Sequence, residues 1–464
     1  MLRAARTGRA EGANIARSEP ERAFETPDLW AFSKRRLREF LGYARGVFGV
    51  GRLLAGIRDR RKRPQIPTAL VARIVFLMGL LRIRSFNALD PKLAEPTLHR
   101  AVDGQPRRSG KVCSVDTLGR VLASMDHESA RAAVLAVNRK AERNKVFREG
   151  WIGARRFCAL DGWEIFVSRE RHCDACLTRQ IKIKDKTVTE YYHRIVVALY
   201  IEERNEVVLD FEPIRSADMR IEAGEKNVTS HEGELTAAKR LIWRIKRDYR
   251  KLIDILLVDG LYPNGPFFTC ASDLGFGVIA VLKKPTDEPL KEALHYWGKR
   301  PPSEIVDNKA KHERVELWDC PGLTTLSTYK GPIRVVRAVI HREREREPKP
   351  STWCIACTGV AMQLSPANAI RAIRGRWHIE NTAFCQWTLH WHFDHVFTHN
   401  PDGLHALLWI FALAFNLLQI FAYRQLRSYG RDRGRDPTRT FVRLIDEMND
   451  DLARTRERFA WNSS

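Results

Sequence analysis

The sequence predicts an α/β protein: a mixed sheet with flanking helices, interrupted by a β-rich insertion and preceded by an all-α N-terminal domain. Three observations predict it. Apolar residues recur at helical spacing through residues 27–150, β-branched and aromatic runs take over from about 151, and short alternating strands broken by Pro and Gly fill 285–352. With 464 residues the chain can bury more than one core's worth of apolar surface.

Taken in order, residues 1–26 lack any apolar run and read as a flexible polar arm with no secretory signal. In 27–150, "TALVARIVFLMGLL" and "SVDTLGRVLASMD" are helices, the second capped by Ser114 and carrying Leu118, Val121 and Leu122. Basic runs such as "RDRRKR" make this a candidate DNA-binding domain, with a solvated linker as the bland alternative for that run. Residues 151–284 begin with an apolar strand expected to end at Asp161, followed by "YYHRIVVALYI", "EVVLDFEPI", the helix "GELTAAKRLIWRIKRDYR" and the strand leading to Asp259. Three strands, a helix and a further strand indicate a mixed sheet. After the insertion at 285–352, residues 353–425 return to the sheet and its C-terminal helices, and 426–464 form a basic tail ending in a helix near 438–456.

Lys and Arg number 79 against 56 Asp and Glu, a net charge of +23, which favours a polyanion partner and nucleic acid first. Nine scattered cysteines without framework spacing point to reduced thiols and a cytoplasmic, nucleoid-associated protein. The stretch "LHALLWIFALAFNLLQIFAY" is long enough to span a bilayer, but His405, Asn416 and Gln419 interrupt it, so it reads as a buried helix and no membrane partner is expected. No Walker-type glycine loop suggests ATP use, and no H-E-x-x-H pair suggests a zinc hydrolase.

The chemistry is expected from three acids. Asp161 and Asp259 each follow an apolar run and precede glycine, which would let the chain turn away and leave a carboxylate at a strand end. Glu380 falls on a helical stripe with Ile370, Ile373, Trp377, Phe384 and Trp387, where a buried carboxylate demands a cation. Together they offer the oxygen donors that Mg²⁺ or Mn²⁺ prefer, and a pair of such ions suits phosphodiester chemistry.

In the order of these acids, in the β-rich stretch between the second and third, and in "RWHIENTAF" followed by an apolar helix, residues 150–425 resemble a DDE transposase of the IS4-like insertion-sequence group. Arg376 and Glu380 keep that group's Arg-to-Glu spacing, while Ile373 and Trp387 stand where Tyr and Lys are expected. The resemblance implies an RNase H-like catalytic domain, two divalent metals on Asp161, Asp259 and Glu380, cleavage and joining of double-stranded DNA at transposon ends and target, and a homodimer in the synaptic complex. Arg376 would clamp a phosphate, its alternative being an ion pair with Glu380, and Arg374 would be a general backbone contact or surface. Among Trp377, Phe384, Trp387 and Trp391, most are expected in the core and one could stack on an extruded base. A domesticated DNA-binding protein and an RNase H-like nuclease are the alternatives.

Cys173-x-x-Cys176 lies in a turn-like segment and could form a small structural Zn²⁺ site completed by His172 or His193. Cys354-x-x-Cys357 lies in a strand, where residues three apart face opposite ways. The histidines of "HWHFDHVFTH" read as packing groups.

Overall fold

A computed structural model of the protein describes residues 35–461 except 149–151, 185, 203–205, 310–311, 343–349, 378 and 427–436. The expected N-terminal arm at 1–26 and the polar start of the basic tail therefore lie outside the described residues.

Ten strands form one mixed sheet: β1 (Phe157–Ser168), β2 (Leu177–Ile183), β3 (Lys186–Ile201), β4 (Glu206–Pro213), β5 (Ile255–Val258), β6 (Gly277–Val281), β7 (Glu304–Asn308), β8 (Glu313–Leu323), β9 (Ile333–Arg342) and β10 (Ser351–Thr358). Their order is β2-β3-β1-β5-β6-β10-β9-β8-β7, with β4 also pairing β3. β1, β3 and β4 are antiparallel, whereas β5 runs parallel to β1 and β6 parallel to β5. The sequences ILLV and GVIAV explain the centre, because parallel strands covered on both faces need unbroken apolar runs. Strands of the expected β-rich insertion belong to the same sheet, since β10 pairs β6 antiparallel and carries β9, β8 and β7 outward.

One expectation needs correction here. β1 does not stop at Asp161 but continues to Ser168, because β3 is long enough to pair with it along its whole length. Only the pairing with β5 is short, covering Phe157 to Ala159.

Helices Thr68–Leu80, Val115–Ser124 and His127–Arg143 pack around the apolar helix Pro401–Gln425. Ser114 caps the second of them by accepting the Thr117 N–H at 3.2 Å. A Cβ on Gly79 would sit 2.7 Å from the Phe411 ring, so glycine permits this close helix crossing. Among the described residues Pro401–Gln425 alone is long and apolar enough to cross a membrane, and 94% of its apolar window is buried inside the molecule. Its polar interruptions are satisfied in place. Asn416 donates to Val208 O (2.7 Å) and Asn138 Oδ1 (3.0 Å) and accepts the Val208 N–H (2.8 Å). That side chain fills an otherwise open position on β4, so Asn416→Ala should cost about 2–3 kcal/mol by stranding buried polar groups, measured as a shift in denaturant midpoint.

The helical region is also tied to the sheet by charge. Arg131, on His127–Arg143, donates to Asp210 of β4 at 2.6 Å and to Asp248 on the helix Glu234–Tyr249. The C-terminal helix Pro437–Ala453 and the segment after it return to the N-terminal helices, where Trp461 Nε1 donates to Ala101 O at 2.8 Å. The backbone at Trp461 passes so close to Gly51 that a Cβ there would lie 1.8 Å from the Trp461 carbonyl oxygen.

Candidate active site

The first two acids meet through strand register. Ala159 pairs Leu257 across the parallel β1/β5 seam, so Asp161 and Asp259 each stand two residues further along and reach the same level of the sheet. β5 ends at Val258, which leaves Asp259 at its C-terminal edge as expected, while Asp161 is inside β1 but just past the end of β5 pairing.

The glycines beside them act differently from the expectation. Neither Gly162 nor Gly260 has a positive φ, so neither is needed for a turn that other residues avoid. Each makes room instead. A Cβ on Gly162 would lie 2.3 Å from Glu234 Oε2 and 2.7 Å from Arg194 Nη2, and one on Gly260 would lie 2.6 Å from Lys283 Cδ. The cleared space admits charged side chains to the acids: Lys283, just beyond β6, donates to Asp259 Oδ2 at 3.0 Å.

Glu380 arrives by a different route from the one its apolar stripe suggests. The helix Pro366–Gly375 ends before Arg376, and Ile379–Phe384 forms a π-helical turn leading to Cys385–Leu389. The wider turn rotates the helix face, so Ile379, Ala383 and Trp387 are buried while the Glu380 side chain is 44% exposed. Trp377 is likewise turned outward, packing edge-on against Trp353, whereas Trp387 and Trp391 are core residues.

Arg376 joins the third acid to the first. Its Nη1 donates to Asp161 Oδ2 at 2.8 Å and its Nη2 to Glu380 Oε1 at 2.7 Å. Those two carboxylate oxygens are therefore no more than roughly 8 Å apart, across a single guanidinium. Arg376 is buried and makes the expected alternative contact, the ion pair with Glu380, while also holding Asp161. Arg374 is engaged elsewhere, donating to both oxygens of Glu313 at 2.9 and 3.0 Å beside a cleft of about 910 Å³.

Burial pushes the Asp161 carboxyl up to about 6, the nearby Arg376 opposes this, and the like charges of Glu380, Asp259 and Glu234 add to the rise. In the native protein Asp161 therefore keeps a proton that the unfolded chain has already released between pH 3.8 and about 6. Its contribution to stability falls as pH climbs through that window. Without divalent ions, the unfolding midpoint should decline between pH 4.5 and 6.5 more steeply in the wild type than in Asp161→Asn, which lacks the titrating group.

An all-oxygen donor set whose members repel one another suits a hard divalent cation. As the side chains stand, the three acids do not bring their oxygens within 4.8 Å of one another, and Arg376 and Lys283 occupy the positive role between them. The sequence reading missed a fourth acid. Glu234, at the first turn of its helix, accepts from Arg194 (2.6 Å) and from the Tyr262 hydroxyl (2.8 Å), so it is neutralised and braced rather than free for a ligand. The signal was present only as the Asp-Gly pair, whose glycine makes space for it.

A second cluster lies further along the same ribbon. Cys173, Cys176 and His193 form a group able to hold a metal ion: the sulfurs are 3.7 Å apart and each is 3.3 Å from His193 Nε2. Of the two histidines considered from sequence, His193 joins the group, whereas His172 stacks on Tyr191 with its side chain exposed. The Cys173 thiol is drawn down to about 4, first by the hydrogen bond from Cys176 and then by His193. Cys354 and Cys357 sit in β10 as expected, and burial raises both thiols.

No family model matches the chain, and no curated protein matches it.

Proposed function

We propose that this chain is a DDE transposase of the IS4-like kind: an enzyme with an RNase H-like catalytic domain that cuts transposon-end DNA and joins it to target DNA. The observation that carries the reading is the convergence of Asp161 and Asp259, level on adjacent parallel strands, with Glu380 from a distant helix, through Arg376. The antiparallel β1, β3 and β4 leading into the parallel β5 and β6, with Asp161 in β1 and Asp259 just past the end of β5, support the RNase H-like reading. The added strands β7 to β10 fall between the second and third acids, as the resemblance requires.

Asp161, Asp259 and Glu380 would hold two Mg²⁺ or Mn²⁺ ions. Such ions, when bound, activate the attacking oxygen and steady the leaving oxygen of a phosphodiester. The chain's own work is positional. Arg376 keeps the two like-charged carboxylates from repelling, and with cations bound its guanidinium would be available to a DNA phosphate. Lys283 stands in the same relation to Asp259. The outward-facing indole of Trp377, next to Arg376, supplies a stacking surface for an unpaired base. Synapsis of two DNA ends calls for a homodimer, and the cationic excess of +23 for steep salt dependence.

The second reading, a DNA-binding protein descended from such an enzyme, is favoured by the same arginine, since a permanently seated Arg376 would exclude metal. One assay separates them. Purified protein is incubated with DNA carrying the inverted repeats that flank its gene, with Mg²⁺ or with EDTA. Metal-dependent nicking and joined products support the transposase; binding without cleavage supports the descendant; cleavage without joined products indicates a nuclease.

A further inference from the structure

We propose that His399 is the fourth ligand of a structural zinc site with Cys173, Cys176 and His193, and that this site clamps the strand bearing Asp161 to the segment following Glu380. Two observations carry it independently of the DNA reading.

The first is the geometry of the three donors. Tetrahedral zinc with Zn–S near 2.3 Å and Zn–N near 2.0–2.1 Å places its ligands roughly 3.3–3.8 Å apart. The sulfur–sulfur distance of 3.7 Å is that of such a site and far too long for a disulfide, and the two sulfur–nitrogen distances of 3.3 Å lie slightly inside the roughly 3.5 Å expected. Three donors leave one corner of a tetrahedron vacant, while structural zinc sites are closed by four protein ligands.

The second is an unexplained histidine near the cluster. Both ring nitrogens of His399 are buried without a hydrogen-bond partner, an arrangement that is unfavourable unless something binds them. His399 and His193 lie on the same phenylalanine: each ring centroid is 5.2 Å from that of Phe166. His399 stands outside the three donors that lie within 4.8 Å of one another, so its side chain would have to rotate toward them to complete a Cys₂His₂ set drawn from three separate places in the chain. Both cysteines would bind as thiolates, any remaining thiol proton passing to solvent, and their two negative charges balance that of Zn²⁺.

The position gives the site a purpose. Cys173 and Cys176 occupy the connection from β1 to β2, and His193 is on β3 in register with Phe166 of β1. His399 precedes Asn400, which caps Pro401–Gln425. A metal here ties the β1/β3 ribbon beyond Asp161 to the loop between the Glu380 turn and the long core helix.

The test uses the full chain purified under reducing conditions. Metal analysis should find one zinc per chain, and Co²⁺ exchanged for it should show the intense visible bands of a tetrahedral site with thiolate ligands. His399→Ala should weaken zinc binding at least about tenfold in a chelator competition, with His399→Cys restoring it and His172→Ala leaving it unchanged. Thermal melting with and without chelator should show the wild type losing stability and His399→Ala losing less. Zinc affinity in His399→Ala within twofold of wild type would remove His399 from the site. A reduced, folded protein that takes up neither Zn²⁺ nor Co²⁺ would remove the site itself, leaving the Mg²⁺-dependent reading of Asp161 untouched.

Discussion

Asp161→Asn and Glu380→Gln should each lower metal-dependent DNA cleavage by at least about a thousandfold, roughly 4 kcal/mol of barrier, with little loss of DNA binding. Both substitutions preserve size and hydrogen-bonding capacity while removing a negative charge from the place where cations are to gather. Asp161 carries the larger consequence, because it faces Glu380, Asp259 and Glu234 at once and is the more buried of the two acids joined by Arg376. The same burial separates chemistry from folding. Its carboxyl already resists ionisation, so an amide there relieves repulsion, and the metal-free Asp161→Asn protein should melt no lower than wild type at pH 7.5. Loss of cleavage with retained melting temperature and retained binding identifies a catalytic acid; wild-type cleavage rates in both variants would mean the acids are wrongly assigned.

Arg131→Met should destabilise the protein by about 3–5 kcal/mol, measured by chemical denaturation. Arg131 is almost fully buried, and its guanidinium holds Asp210, which has no exposed surface, together with Asp248. Arg244 also donates to Asp210, at 2.7 Å, and Arg247 to Asp248, at 2.9 Å, so neither aspartate is left wholly without a cation. What is lost is the link between the N-terminal helices and the sheet, along with the close packing of the arginine stem. A double substitution, Arg131→Met with Asp210→Asn, should recover part of the loss, because the worst element of the single variant is an undercompensated buried charge. A single variant within about 0.5 kcal/mol of wild type would show that the charged tie contributes nothing to the fold.

Much of the fold was legible because its signals are local. The apolar runs before Asp161 and Asp259, the Ser114 cap and the alternating strands of the insertion each act over a few residues. Asn416 hinted at burial by interrupting an apolar helix, although its partners Asn138 and Val208 lie 278 and 208 residues away in sequence. The misreadings arose where pairing or winding departs from the regular pattern. β1 runs past Asp161 because a distant strand supplies partners, and Glu380 leaves its apolar stripe because a π-helical turn changes the residue spacing. Glycine after each aspartate suggested turns, while its role is to admit Glu234 and Lys283, which no local spacing encodes. His399 looked like one of a crowd of packing histidines, and only the approach of the β1/β3 ribbon sets its ring against Phe166, the phenylalanine that His193 also touches.

If the proposed function holds, Asp161, Asp259 and Glu380 share divalent cations in place of Arg376. Anomalous scattering from crystals soaked in Mn²⁺ tests it most directly. Mn²⁺ peaks are expected among the three carboxylates, two of them roughly 3.5–4 Å apart when DNA is bound, with the Arg376 guanidinium withdrawn from Asp161. Saturating Mn²⁺ that leaves no peak there, with Arg376 still hydrogen-bonded to Asp161 and Glu380, would contradict it.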